Sequence, residues 1–400
     1  MNEILAYNRF SSILNDLNPY SIKLGLERVE AFCKKIGNPQ DSFPSILVGG
    51  TNGKGSVCQY LTDCFIEGGY TCGTYTSPHL ILPNERFRIN NRPVDFSTLV
   101  EYAEFIQRVN FEALTYFEFL TVLMFLLFKD FGVDVAVLEV GMGGEFDATN
   151  VSDSILSILT SISMDHEEHL GRSLKEIAST KAKIIKRMGV VSQNPKEVIE
   201  TIQNVVNVPV YFVDKRYTYK AKSLGANNSV NIDNVAVSML SVDTLKKFYG
   251  YNLEYDPMKR SFWPGRFEIL ETEGKIVILD GAHNESAVKN LKELLKEKLV
   301  NFDRSVLVFS TLKTKKWRGN LWELMGLFDA VYLVRIGYRL GEDPATVAEF
   351  VKSTRFGGEV KVFDSVNLCI NHVLNTDFQK VVITGSLYLV GEALACKIVE

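Results

Sequence analysis

No charge of one sign dominates this 400-residue chain, in which 44 Lys and Arg stand against 48 Asp and Glu for a net of −4. So small a surplus gives no electrostatic reason to expect a nucleic-acid or anionic-membrane partner. Long apolar runs are missing too. The most apolar stretch, Phe119 to Phe128, falls far short of the roughly 20 residues a membrane-spanning helix needs and reads as a buried helix. Met1 to Phe10 lacks a basic segment followed by an apolar one, so no secretory signal is expected. The six cysteines (Cys33, Cys58, Cys64, Cys72, Cys369 and Cys396) form no C-x-x-C pair and no metal-finger spacing. They are expected to be structural thiols in a reducing cytoplasm.

What is present is the pattern of an α/β protein. The length suits two hydrophobic cores. Short, almost wholly apolar runs at Ile46–Gly49, Cys72–Thr76, Val135–Val140, Ile155–Thr160 and Val208–Val213 predict strands covered by helices on both faces. A helix from Ser56 buries Val57, Leu61, Cys64 and Phe65 at helical spacing. Lys215 to Asn234 is polar and weakly patterned, Asn234 is expected to open a helix after it, and Trp263-Pro264-Gly265 punctuates the chain. The alternation then restarts with Ile276–Leu279, a helix over Ser286–Leu299, and strands at Val306–Phe309, Val331–Val334, Val360–Phe363 and Val381–Thr384. The boundary is placed near residue 260. The expectation is a domain 1–260 built on a P-loop-type, mainly parallel sheet and a smaller Rossmann-like α/β domain 261–400.

The strongest local signal is Gly49-Gly50-Thr51-Asn52-Gly53-Lys54-Gly55-Ser56, between the first strand and its helix. Backbone N–H groups of such a turn, with a helix N-terminus behind it, form an anion site suited to ATP phosphates. Lys54 adds a charge near the β/γ-phosphates, and Ser56 offers a hydroxyl to Mg²⁺. The loop is not a standard P-loop, because Gly55 separates Lys54 from Ser56 and Val48 stands where the first glycine would be. Glu139 ends a buried strand, at the edge where ligands of open α/β sheets collect. A carboxylate there is costly unless paired or metal-bound, so a ligand role is reasonable. His166, after Asp165 and the next strand, is a second candidate. Lys181, with Lys183 and Lys186, reads from spacing alone as a solvated basic helix face.

The loop resembles the G-T-N-G-K-G-[ST] turn of the folylpolyglutamate synthase/dihydrofolate synthase family, a branch of the Mur ligases. Further stretches resemble that family in order. They begin with Leu24-Gly25-Leu26-Glu27-Arg28, Thr76-Ser77-Pro78-His79-Leu80 and Leu114-Thr115-Tyr116-Phe117-Glu118. Glu139-Val140-Gly141-Met142-Gly143-Gly144, Asp147-Ala148-Thr149-Asn150, Asp165-His166 and Lys181-Ala182 follow. Trp263-Pro264-Gly265-Arg266, Asp280-Gly281-Ala282-His283-Asn284 and Thr384-Gly385-Ser386-Leu387-Tyr388 complete the series. Three places depart: Lys183 stands in place of a usual glycine, Glu285 in place of a usual proline, and Lys313-Thr314-Lys315-Lys316 in place of a lysine–aspartate alternation.

The resemblance implies an ATP- and Mg²⁺-dependent ligase that adds L-glutamate to a folate-type carboxylate, dihydropteroate or a tetrahydrofolate polyglutamate. It assigns Mg²⁺ to Ser77, Glu139 and His166 with Ser56 on the nucleotide-bound metal. ATP falls to Asn52, Gly53, Lys54, Gly55 and Ser56, with Asn234, Arg266, Asp280 and His283 contacting it from the far side of a cleft. Lys54, His166 and Lys181 carry the catalytic roles, Lys181 as a carbamate. The pterin acid falls to Ile22, Lys23, Leu24, Thr115, Tyr116, Phe117, Glu118, Phe146, Asp147 and Ala148. The protein is expected to act as a cytoplasmic monomer on small molecules, with neither nucleic acid nor membrane as partner. The rivals are a Mur ligase acting on a cell-wall precursor and a nucleotide-binding homologue that has lost catalysis.

Overall fold

A computed structural model describes residues 2–17, 23–109, 114–226, 229–272, 274–299 and 304–396. The chain forms two compact units, Met1–His79 with Pro83–Phe262, and Leu80–Leu82 with Trp263–Glu400.

The first unit is built on eight strands: β1 (Ser45–Gly49), β2 (Cys72–Tyr75), β3 (Phe87–Ile89), β4 (Arg92–Pro93), β5 (Val135–Glu139), β6 (Leu156–Leu159), β7 (Gly189–Val191) and β8 (Val210–Phe212). Their order is β4-β3-β2-β5-β1-β6-β7-β8. The pairs from β2 through β8 are parallel, while β3 and β4 add an antiparallel edge. The central strands are apolar on both faces because both are covered. Leu47, Leu138 and Leu159 enter one core with Phe119, Leu123 and Ile177. Ile46, Val48, Val137 and Ile158 enter another with Val57, Leu61 and Val237. Such double burial is what a parallel sheet with crossover helices requires.

Register then sets the site. Val48 of β1 lies beside Glu139 of β5, and Gly49 beside Leu159 of β6. From β1 the chain runs to β2 on one side, and after β5 it crosses to β6 on the other. Such a switch in direction opens a crevice at the strands' carboxyl ends.

The second unit holds β9 (Glu268–Thr272), β10 (Lys275–Asp280), β11 (Ser305–Phe309), β12 (Ala330–Val334), β13 (Glu359–Phe363) and β14 (Lys380–Thr384), in the order β13-β12-β11-β14-β10-β9. Only β9 is antiparallel to its neighbour. Cores on both faces again account for the apolar runs. The mixed α/β class with two mainly parallel sheets is the one expected.

Local expectations needed correction in places. The polar stretch after Val213 is helical over Lys215–Ser223, started by the Asp214 side chain accepting from Arg216 N. A second helix spans Ser229–Tyr249, so Asn234 sits inside it instead of opening it. The edge strands β3 and β4 and the short β7 were not anticipated. Among the described residues no helix is long and apolar enough to cross a membrane.

Gly73 in β2 shows how closely the helix Tyr116–Asp130 is laid on the sheet, since a Cβ at that position would fall 2.8 Å from the Phe128 ring. Gly73→Ala should therefore overpack the core and destabilise the protein by about 1–3 kcal/mol. Adding Phe128→Leu should recover part of the loss in a denaturant titration. Unchanged stability in the single variant would mean that the helix can move away at little cost.

Candidate active site

The loop after β1 is held by the segment after β6. Thr51 N donates to Ser161 O at 2.7 Å, and Ser161 Oγ to Asn52 O at 3.2 Å. Thr51 Oγ1 donates to Ser163 O and accepts from Ser163 N, both at 3.1 Å. Gly50 has φ +133, and a Cβ there would fall 1.9 Å from Thr160 Oγ1. Only glycine allows that approach. Gly53 has φ +92 and caps the helix Lys54–Glu67, and the Asn234 side chain lies where a Cβ of Gly53 would be, 2.1 Å from its Oδ1. Asn52, Gly53, Lys54, Gly55, Ser56 and Asn234 therefore form one neighbourhood, in which the N-terminus of a 14-residue helix is aimed at the crevice.

Two lysines meet this loop at a single carbonyl. Lys54 Nζ lies 3.4 Å from Gly50 O and 3.2 Å from Thr51 O, and Lys181 Nζ donates to Gly50 O at 2.9 Å. Lys181 is not the solvated lysine that spacing alone suggested, because only 5% of it is exposed. Burial first, and then the Lys54 charge, push its ammonium down to about 7, against the opposing pull of Asp165 and Asp147. Its helix, Leu174–Ala182, starts with a Ser173/Glu176 capping box. Gly144 lets the loop after β5 approach that helix, since a Cβ there would fall 2.9 Å from Thr180 O.

Of the residues assigned to metal, Ser77 and Glu139 are in direct contact: Ser77 N donates to Glu139 Oε2 at 3.0 Å. Glu139 is buried. His166 has a left-handed backbone, φ 51, and its Nε2 is 3.8 Å from Asp165 Oδ2 with the ring 43% exposed. Among the described residues no three His, Cys, Asp or Glu side chains converge as an ion cage. A carboxylate with serine hydroxyls, completed by phosphate oxygens and water, is nevertheless a donor set that suits Mg²⁺. Beside Ser77, His79 Nδ1 accepts from Arg86 Nε at 2.9 Å, and burial with the Arg86 charge drives its imidazole down to about 3. His79 is thus a neutral strut.

The assigned acid-site residues lie on three segments that pack together: the helix Glu27–Lys35 with Lys23 and Leu24 before it, the helix Tyr116–Asp130 with its cap Thr115, and the turn Ala148–Val151. Ile22 lies outside the described residues. Leu24 and Phe146 are exposed, and Tyr116 and Phe117 partly so, which leaves apolar surface for a flat ring. Asp147 is buried and accepts from Met142 N, Thr149 N and Thr149 Oγ1 at 2.6–3.0 Å. Burial nonetheless raises its carboxyl above the usual range.

In the second unit Asp280 accepts from Phe267 N and Ala282 N, both at 2.8 Å, and burial raises its carboxyl against the pull of Arg266. His283 Nδ1 is 2.9 Å from Gly281 O, which places its proton on Nδ1. Arg266 is exposed. These residues lie at the carboxyl edge of β10. Ser310 follows β11 and Thr384 ends β14, and their buried hydroxyls have no hydrogen-bond partner among the described residues.

Two of the three departures, Glu285 and Lys183, fit the fold. Glu285 is the first residue of a helix, a place where an acidic residue suits the helix dipole as well as proline suits the geometry. Lys183 caps the helix Leu174–Ala182 in a right-handed conformation, so no glycine is required, and it pairs with Glu145 at 2.6 Å.

Comparison with known proteins agrees with this geometry. Residues 48–237 match the Mur ligase middle domain and residues 266–396 the dihydrofolate synthetase C-terminal domain. A probable dihydrofolate synthetase of Schizosaccharomyces pombe is 30% identical, over 93% of this chain and 97% of that protein. Escherichia coli FolC in complex with DHPP and ADP superposes with a TM-score of 0.83 at 27% identity, covering 97% of each chain. The bifunctional folylpolyglutamate synthase/dihydrofolate synthase of Yersinia pestis, complexed with AMPPNP and Mn ion, gives 0.82 at 26% over 98% of each. The chain belongs to the folylpolyglutamate synthase/dihydrofolate synthase family of the Mur ligase superfamily.

Proposed function

We propose that the protein joins the amino group of L-glutamate to the carboxylate of a pterin-bearing acid, dihydropteroate or a tetrahydrofolate, at the expense of ATP. The observation that carries this reading is the lysine-bearing turn Gly49–Ser56 beside the buried Glu139, at the carboxyl ends of adjacent parallel strands. A carboxylate oxygen of the acid attacks the γ-phosphorus, ADP leaves, and an acyl phosphate results. The amine then adds to the acyl carbon and loses a proton. Phosphate departs with the oxygen it took from the acid, leaving the amide.

Loop N–H groups and Lys54 hold and neutralise the transferring phosphoryl group. Ser56, Ser77, Glu139 and His166 are the residues that would hold a divalent cation, which when bound neutralises phosphate charge. In the same reading Asn234, Arg266, Asp280 and His283 are assigned to the nucleotide. The acid lies between Lys23–Leu24, Thr115–Glu118 and Phe146–Ala148. A cell-wall ligase is not favoured, because the C-terminal match is of the dihydrofolate synthetase type. The inactive alternative is disfavoured because each assigned phosphate and metal residue is present.

The chain is proposed to act as a monomer in the cytoplasm, where its free thiols, five of them buried, stay reduced. Glutamate-dependent phosphate release should be supported by dihydropteroate or tetrahydrofolate, supplied in parallel to material whose solution mass is that of one chain. Equal release with both acids omitted would overturn the reading.

Lys181 is proposed to work as a carbamate. Its neutral amine attacks CO₂ to give R–NH–COO⁻ and a released proton, leaving an N–H to donate toward Gly50 O. Only the unprotonated amine reacts. Because burial lowers its ionisation to about 7, the reactive form predominates above that pH and is lost below it. With labelled CO₂, a carbamate carbon resonance should grow as pH rises through about 7 and be missing in Lys181→Arg. An unmodified amine in fully active enzyme would refute this role.

A further inference from the structure

We propose that Arg28 is a positioning residue for the acid substrate: it clamps the segment before its own helix onto the first turn of the helix Tyr116–Asp130. It thereby fixes two walls of the acid site together. This inference rests on the function proposed above.

Arg28 Nη2 donates to Glu118 Oε1 at 2.7 Å and to Lys23 O at 2.6 Å, with Gly25 O a longer third contact at 3.4 Å. Its Nε reaches Glu118 Oε2 at 3.3 Å. Glu118 Oε2 also accepts from Thr115 N at 2.7 Å, and Glu118 N donates to Thr115 Oγ1 at 3.4 Å. A single carboxylate thus closes the cap of one helix and ties down the guanidinium of another. The pair is well shielded, with side-chain exposures of 24% for Arg28 and 6% for Glu118. The fork geometry of the guanidinium is what allows one side chain to serve a carboxylate and a carbonyl together.

Two consequences follow for the reaction. Both Glu118 oxygens are engaged in building the site, so Glu118 also acts on the acid indirectly, through Thr115 and Arg28. Lys23 and Leu24 have no regular secondary structure of their own, and the Lys23 carbonyl is tied to the helix Glu27–Lys35 by the bond from Arg28. Weakening the clamp therefore loosens the acid wall and leaves the phosphate loop as it was. The effect belongs in the KM for the acid.

Removing one partner of a shielded pair strands the other charge and could unfold the site, so the informative variants are conservative. In the full chain with ATP, Mg²⁺ and glutamate saturating, Arg28→Lys should raise KM for the acid about tenfold, with kcat and KM for ATP changed less than twofold. Arg28→Gln combined with Glu118→Gln should be no worse in acid KM than either single change, because the two residues act as one unit. Backbone hydrogen exchange at residues 23–26 in substrate-free Arg28→Lys should be faster than in the parent, and this arm needs no turnover. Parent protein that ligates no pterin acid overturns the proposed function, while the exchange arm still decides the clamp. Unchanged exchange, or an acid KM that stays constant while thermal stability falls, overturns the clamp.

Discussion

The close backbone approach between Gly50 and Thr160 is the contact on which the site depends. It brings the loop after β1 into bonding range of Ser161 and Ser163, on the segment that leads into Asp165-His166. With any side chain at position 50 the two segments would separate, and the phosphate turn would lose its register with the segment that carries His166. The parallel register of β5, β1 and β6 provides the frame. Gly50 lets the two loops leaving that frame stay together.

Charge is managed by the same packing. Gly50 O faces two lysine ammonium groups, an arrangement that favours loss of a proton from the more buried of them, Lys181. Buried Glu139 accepts from one backbone N–H, half-buried Asp280 from two, and buried Asp147 from two backbone donors and a hydroxyl. Unpaired carboxylates at such depth would cost several kcal/mol each. These donors also hold each carboxylate in one orientation at the end of a strand or loop. Burial thus turns electrostatic cost into preorganisation, which is what chemistry on phosphate demands.

Much of the fold was legible because a doubly covered strand must be apolar throughout. β1, β5, β6, β11 and β14 were each visible as such runs. The edges were harder. β9 alternates partly buried and exposed residues and lacks an apolar run. β3 and β4 are three and two residues long, although Asn90 and Asn91, with φ 48 and 64, are the residues such a tight hairpin selects. The phosphate loop was readable because it is local: one turn between one strand and one helix. What holds the site together was not. Thr51 and Ser163 are 112 residues apart, and Arg28 and Glu118 are 90 apart. Lys181 looked like a surface lysine because helical spacing says nothing of what covers a face, and here loop carbonyls and Gly144 cover it.

The central claim is that the acid carboxylate itself is phosphorylated before glutamate is joined to it. Acid labelled with heavy oxygen in that carboxylate, turned over with ATP, Mg²⁺ and glutamate, tests this most directly. The account predicts one labelled oxygen in the released phosphate for each amide formed, and the other in the amide carbonyl. Phosphate free of label, with amide formed in equal amount, would contradict it.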